Sequence, residues 1–230
     1  MSGDGVIGCA AMESTTTRSR RAGLALGALF LALAAGHLAA GASDRLDPPA
    51  RTDPAAGGTD RTADLADLYA WHEGTGSGAV LVTALTFGGA DLPAAGQAIP
   101  CDRDVLYTIH VESDAGTAFA LELRLGPDEL GNCFARITGL PGGAAIEGPV
   151  QTVLAQGGAR AFVGLRDEPF FFDRQGLDES RATGVLSFLP DRDALAGRNT
   201  PAFVLELPLA DVSPSGGPVR VWAESGRIGA

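Results

Sequence analysis

The 230-residue sequence contains no lysine, and its 17 basic residues, all arginine, face 28 acidic residues. The net charge of −11 opposes any sizeable phosphate-binding surface, so nucleic acid is a poor partner for this chain. Without lysine the chain also lacks the Gly-Lys-Ser/Thr that ends a P-loop. The glycine-rich run Gly74–Gly78 is therefore predicted to be a turn.

Histidine is almost as scarce, with three residues in all. His72 is followed by Glu73, but the second histidine of a zinc-protease helix is absent, and His110 sits alone in an apolar run. No Gly-x-Ser-x-Gly motif is present either. These absences favour a non-enzymatic protein, although they leave the question of activity open.

The N-terminal region has the pattern of a signal peptide. The segment Ala22–Ala42 carries no charged residue, follows a cluster of arginines, and ends in Ala-Gly-Ala. We therefore expect residues 1–42 to be removed, with Met12 as an alternative start, by either the Sec or the twin-arginine route. The mature protein would be periplasmic or extracellular without stable membrane association; the alternative is an uncleaved N-terminal anchor.

Only Cys101 and Cys133 remain after such a cleavage. In an oxidising compartment two cysteines most simply form one disulfide, and this is the prediction. Two buried free thiols are the alternative.

The rest of the chain reads as one β-rich domain. Residues 43–62 are predicted to be an extended lead-in, residues 63–230 a single domain, and Ala63–Trp71 a short helical turn. Short apolar runs bounded by turn residues predict an all-β fold, a mostly antiparallel β-sandwich or a barrel-like closure, with one or two short helices. The predicted strands are Ala79–Phe87, Val105–Glu112, Ala118–Leu125, Cys133–Thr138, Val150–Leu154, Ala159–Leu165, Gly184–Phe188, Ala202–Leu207 and Val219–Ala223. A further short helix is predicted to start at Pro169.

Carboxylates are the one abundant type of side chain in this sequence that could bind a metal ion. Asp64, Asp67, Asp167 and Asp173 are candidate metal ligands, and Ca²⁺ is the metal that oxygen clusters of exported proteins bind. No EF-hand pattern is present, so a solvated acidic surface is favoured over Ca²⁺ binding. For Asp67, pairing with Arg166 is the prediction, and a cation or backbone N–H groups are the alternatives.

Five blocks of the chain resemble a family of secreted bacterial proteins catalogued as domain of unknown function 4331 (DUF4331). The clearest are Ala63–Trp71, which matches the family's Ala-Asp-Ile-Thr-Asp-Leu-Tyr-Ala-Phe, and Gly164–Asp173, which matches Gly-x-Arg-Asp-Asp-Pro-Phe-Phe-x-Asp. The later ones are Gly197–Asn199, Leu205–Pro208 and Val221–Ala223. Asp44 stands where the family usually has histidine. The resemblance implies a secreted β-rich domain and supplies no catalytic residue.

Two functions remain in competition. The preferred one is an exported, non-enzymatic binding or structural β-domain, with Ca²⁺ as a candidate ion and a ligand or protein as its unknown partner. The alternative is a metal-assisted enzyme in which the four aspartates converge with His72 or His110 around a divalent ion.

Overall fold

The computed structural model describes residues 60–228, which are built mainly from strands. The strands, in chain order, are β1 (Leu65–Glu73), β2 (Val80–Phe87), β3 (Val105–Ser113), β4 (Ala118–Pro127), β5 (Cys133–Thr138), β6 (Ile146–Pro149), β7 (Val153–Gln156), β8 (Ala159–Asp167), β9 (Asn199–Pro208) and β10 (Val219–Arg227). Two short helices are α1 (Arg174–Thr183) and α2 (Leu209–Val212).

These strands form two antiparallel five-stranded sheets with a common core. The first sheet has the order β1-β2-β9-β8-β7, and the second has the order β10-β3-β4-β5-β6. One cluster of buried side chains includes residues of both sheets, so their inner faces pack together. The prediction of an all-β sandwich with short helices is confirmed.

Strand β4 shows how sequence alternation builds this core. Leu121, Leu123 and Leu125 are fully buried, whereas the intervening Glu122 and Arg124 lie on the outer, half-buried face. Burial of each such leucine contributes roughly 1.5–3 kcal/mol. The alternation therefore sets which face of β4 points inward.

The prediction of a helical turn over Ala63–Trp71 is wrong, because most of this segment is strand β1. A β-bulge lies between Leu65 and Leu68, which pair with Phe87 and Leu85, so three steps on β1 match two on β2. The extra residue puts two inward leucines three positions apart. That spacing imitates the period of a helix.

The predicted strand Val150–Leu154 is only partly right. The chain leaves the second sheet after β6, turns at Gln151 with φ 63°, and enters the first sheet at Val153. The Gln151 N–H donates to the carbonyl of Val163 at 2.7 Å, which fixes this crossing. The apolar run Val150–Leu154 therefore covers the passage from the end of the second sheet to the start of the first.

The predicted disulfide is confirmed. Cys101 precedes β3 and Cys133 begins β5, and their Cα atoms lie 5.7 Å apart across the bond. The bridge ties the loop between the sheets to the second sheet.

A long excursion, residues 168–198, connects β8 to β9 and contains α1. The helix does not start at Pro169 as predicted; it starts after Asp173, whose carboxylate accepts a hydrogen bond from the Gly176 N–H at 2.7 Å. The predicted strand Gly184–Phe188 is also wrong. Its Ser187 N–H donates to the Ser180 Oγ of α1 at 2.9 Å, and the segment belongs to no sheet.

No helix within residues 60–228 is long and apolar enough to cross a bilayer. The predicted signal peptide and all but the last three residues of the predicted lead-in lie outside the described residues.

Candidate functional site

A crevice of about 370 Å³ lies between β1 and β10, the neighbouring edge strands of the two sheets. We call it the edge crevice. Its volume falls in the range of about 300–1,000 Å³ that is usual for small-molecule sites. Its main walls are Ala70, His72, Leu81, Leu209, Val219 and Val221.

Strand β1 forms one wall because its end continues the alternation of the core. His72 pairs with Leu81 of β2, and Leu81 belongs to the buried core. The side chain of His72 therefore lies on the interior face of the first sheet, where the core opens into the crevice.

Strand β10 forms the opposite wall. Val221 pairs with Val111 and Val219 with Ser113, and both partners are buried residues of β3. Val219 and Val221 thus share the interior face of the second sheet and present apolar surface to the crevice.

Helix α2 and the turn after it close one end of the edge crevice. The Leu209 N–H donates to the Ala79 carbonyl at 2.9 Å, which anchors α2 on the loop before β2. The Ser213 hydroxyl donates to the Gly217 carbonyl at 2.9 Å, and Gly216, at φ 72°, lets the chain reverse. The hydroxyl of Ser213 is therefore already engaged.

These walls offer mostly apolar surface and one imidazole. The two ring nitrogens of His72 can take part in hydrogen bonds. The two flanking strands are sheet edges, whose outward N–H and C=O groups are not used by their own sheets. Such a site suits a ligand with an apolar body and a small number of polar groups.

Of the four candidate metal ligands, Asp64 and Asp167 lie at the same end of the first sheet, whereas Asp173 lies in the excursion. Asp64 is buried just before β1, and Asp67 lies within β1, where its N–H donates to the Thr86 Oγ1 at 3.0 Å. Asp167 ends β8, and Asp173 caps α1. Within residues 60–228, no group of three or more His, Cys, Asp or Glu side chains could hold a metal ion. Their assignment as Ca²⁺ ligands stays a prediction without geometric support.

Arg166 does not lie beside Asp67 as predicted. Its guanidinium carbon is 3.4 Å from the ring centroid of Phe162 on β8, and two strands of the first sheet separate β8 from β1. Arg166 therefore covers an aromatic ring of its own strand.

Asp173 has a structural role that accounts for its carboxylate. It accepts hydrogen bonds from the Gly176 and Leu189 N–H groups and forms a 3.0 Å ion pair with Arg192. Burial alone would raise the pKa of Asp173, but these N–H groups and the guanidinium hold it below its usual range. The carboxylate holds the excursion together.

Three of the blocks behind the family resemblance meet at one end of the first sheet, where β1 and β9 begin and β8 ends. Asp167 pairs with Asn199 there, and the Asn199 amide donates to the Gln97 Oε1 at 2.9 Å. Nearby, Arg61 forms a 3.0 Å ion pair with Asp91. At this end of the sheet, the side chains of Asn199 and Gln97 and those of Arg61 and Asp91 are therefore paired with each other.

The edge crevice was not foreseen from the sequence. Leu68 and Ala70 lie on the interior face of β1. Continuing this alternation by two residues puts His72 on the same face. The opposite wall comes from Val219 and Val221, and no local signal joins them to β1.

Comparison with known proteins identified no relative. No family model, curated protein or solved structure matches this chain. The resemblance described above therefore stays a prediction, and function must be argued from the site.

Proposed function

We propose that the protein is an exported, non-enzymatic binding domain that holds a small, largely apolar ligand in the edge crevice. The observation that carries this proposal is the crevice itself, with apolar walls and a single imidazole. A purely structural β-domain would be more stable if this opening were closed, because burying the apolar groups of its walls would contribute free energy to folding.

Two further features support export. The apolar leader with its Ala-Gly-Ala end has the pattern of a cleaved signal, and the Cys101–Cys133 disulfide suits an oxidising compartment. The absence of a nucleophile motif or metal motif in the sequence supports binding over catalysis.

The test uses N-phenyl-1-naphthylamine, a neutral probe whose fluorescence rises in apolar surroundings. Ala70→Phe would place a ring in the crevice, whereas Ala155→Phe makes the same change on β7, the other edge strand of the first sheet. Both positions are exposed, so the two variants are matched in cost to folding.

We expect the unmodified protein to bind the probe saturably, and Ala70→Phe to weaken binding by about tenfold or more. Ala155→Phe should leave binding unchanged. If the unmodified protein fails to bind the probe, or if both variants bind it equally, the proposal is wrong.

A further inference from the structure

The outer face of the second sheet carries a pair of stacked rings. Trp222 of β10 and His110 of β3 are direct cross-strand partners. Their ring planes are 10° apart and their centroids are 4.9 Å apart, which is about the spacing of neighbouring strands. Each ring therefore stands upright on its own strand, and the imidazole covers one face of the indole.

No strand of the described sheet lies beyond the second face of the indole. Strand β10 is the edge of its sheet, and Trp222 is 45% exposed. The Nε2 atom of His110 lies 2.9 Å from the Oε1 atom of Glu224, which is two residues from Trp222 and so on the same face of the sheet. This bond orients the imidazole, and the imidazole supports the indole. The open ring face is thus held in place before any ligand arrives, which lowers the entropic cost of binding.

Polar side chains flank the indole on both sides along β10. Glu224 lies on one side, and Arg220 lies on the other with its guanidinium 3.4 Å from Glu112. Arg220 and Glu224 are each about two-thirds exposed, so their remaining donors and acceptors are open to a ligand. Glu112 pairs with Arg220 and Glu224 adds a second carboxylate, so this surface disfavours an anionic ligand.

We propose that this surface binds a neutral oligosaccharide. The apolar C–H face of one sugar ring would stack on the open face of Trp222, and its hydroxyl groups would bond to Glu224 and Arg220. An apolar partner fits less well, because it would cover both charged side chains without replacing their bonds to water. The surface is independent of the edge crevice, since Trp222 and Val221 lie on opposite faces of β10.

The chain contains two tryptophans, which gives the test its reporter and its control. In a Trp71→Phe variant, Trp222 is the only source of tryptophan emission. Trp71 is 43% exposed on β1 of the other sheet, where it borders the edge crevice, so Trp71→Ala is matched in residue type and exposure and also reports any binding at the crevice. The probes are cellohexaose, chitohexaose and maltohexaose, with tetramethylammonium chloride as the cationic comparison.

We expect at least one hexasaccharide to shift the Trp222 emission saturably to shorter wavelength. By calorimetry, Trp222→Ala should weaken its binding by about tenfold or more, and Trp71→Ala by less than about twofold. Trp222→Phe keeps an aromatic face and should retain part of the affinity. This variant still tests the proposal if Trp222→Ala folds poorly. The proposal fails if no hexasaccharide binds, if Trp222→Ala binds like the unmodified protein, or if only tetramethylammonium shifts the emission.

Discussion

Gly139, just after β5, shows how one residue can depend on the backbone of another strand. It has φ +79°, and a Cβ atom at this position would lie 1.8 Å from the carbonyl oxygen of Ala120 in β4. The obstacle is backbone, so it cannot move aside as a flexible side chain would. We expect Gly139→Ala to lower the free energy of unfolding by more than about 2 kcal/mol, measured by urea titration.

Gly131 provides the control for this substitution. It has a similar φ of +83°, but no atom lies within 4 Å of the position that a Cβ would take. Gly131→Ala should cost only the conformational strain, about 1 kcal/mol. Equal losses in the two variants would contradict the role assigned to Ala120.

A second residue-scale contact closes the end of the sandwich where the described chain begins. Arg227 bonds to Asp60 at 2.6 and 2.8 Å and to Asp102 at 2.9 Å. Beside it, the hydroxyl of buried Tyr107 donates to the Thr62 carbonyl. These bonds fasten the start of the domain to β10 and β3.

This contact predicts a pH dependence. The hydrogen bonds from Arg227 hold the pKa of Asp60 below its usual range, against the smaller effect of partial burial. The unfolded chain therefore binds a proton at Asp60 more readily than the folded protein, so this stabilisation is present above a pH of about 4 and is lost as pH falls through the lower folded pKa. Arg227→Gln should flatten the decline in urea midpoint over that acidic window. An unchanged pH profile in the variant would show that Asp60 does not contribute as described.

At the scale of elements, the sequence predicted those strands whose alternation is unbroken. The sequence predicts β4 because Leu121, Leu123 and Leu125 repeat every second residue. It predicts a helical turn in place of β1 because the bulge of β1 inserts one residue into the period. A bulge depends on pairing with β2, which a local pattern does not contain.

The prediction of a strand within the excursion is wrong for a related reason. Its order comes from side-chain bonds across distances of 7 to 21 residues, such as Ser187 to Ser180 and Phe172 to Asp193. Val185 and Leu186, which suggested a strand, are largely exposed and pair with no neighbour in either sheet. A run of apolar residues therefore does not distinguish a strand from a loop that side-chain hydrogen bonds and ion pairs hold in place.

The disulfide joins two elements and yields a stability prediction. It spans 32 residues of sequence, for which chain entropy gives roughly 3 to 4 kcal/mol of stabilisation. The double variant Cys101→Ser with Cys133→Ser should lose about this much in urea unfolding and keep the β-rich circular dichroism spectrum. A variant as stable as the disulfide-bonded protein would contradict the estimate.

At the scale of the molecule, the candidate site arises from the meeting of two sheet edges. His72 of β1 and Val219 of β10 are far apart in sequence, and only the packing of the two sheets brings them to one crevice. The sequence could predict that sheets form and which residues face inward. It could not predict which edges would be neighbours, and for that reason the crevice was missed.

The aspartates give a further prediction for the whole protein. The carboxylate of Asp173 is already bonded to two backbone N–H groups and to Arg192, so we expect EDTA to leave the melting temperature unchanged. Elemental analysis of the same sample is the companion measurement. A sharp fall in melting temperature with EDTA, reversed by Ca²⁺, would instead restore the metal-binding interpretation of Asp64, Asp67, Asp167 and Asp173.

The most direct test of the central claim is to map the bound probe by ¹H–¹⁵N NMR. On adding N-phenyl-1-naphthylamine, the account predicts that the largest shifts fall on Ala70, His72, Leu209 and Val219, the residues that surround the edge crevice. Shifts centred on the excursion or on the outer sheet faces, with the crevice signals unchanged, would contradict it.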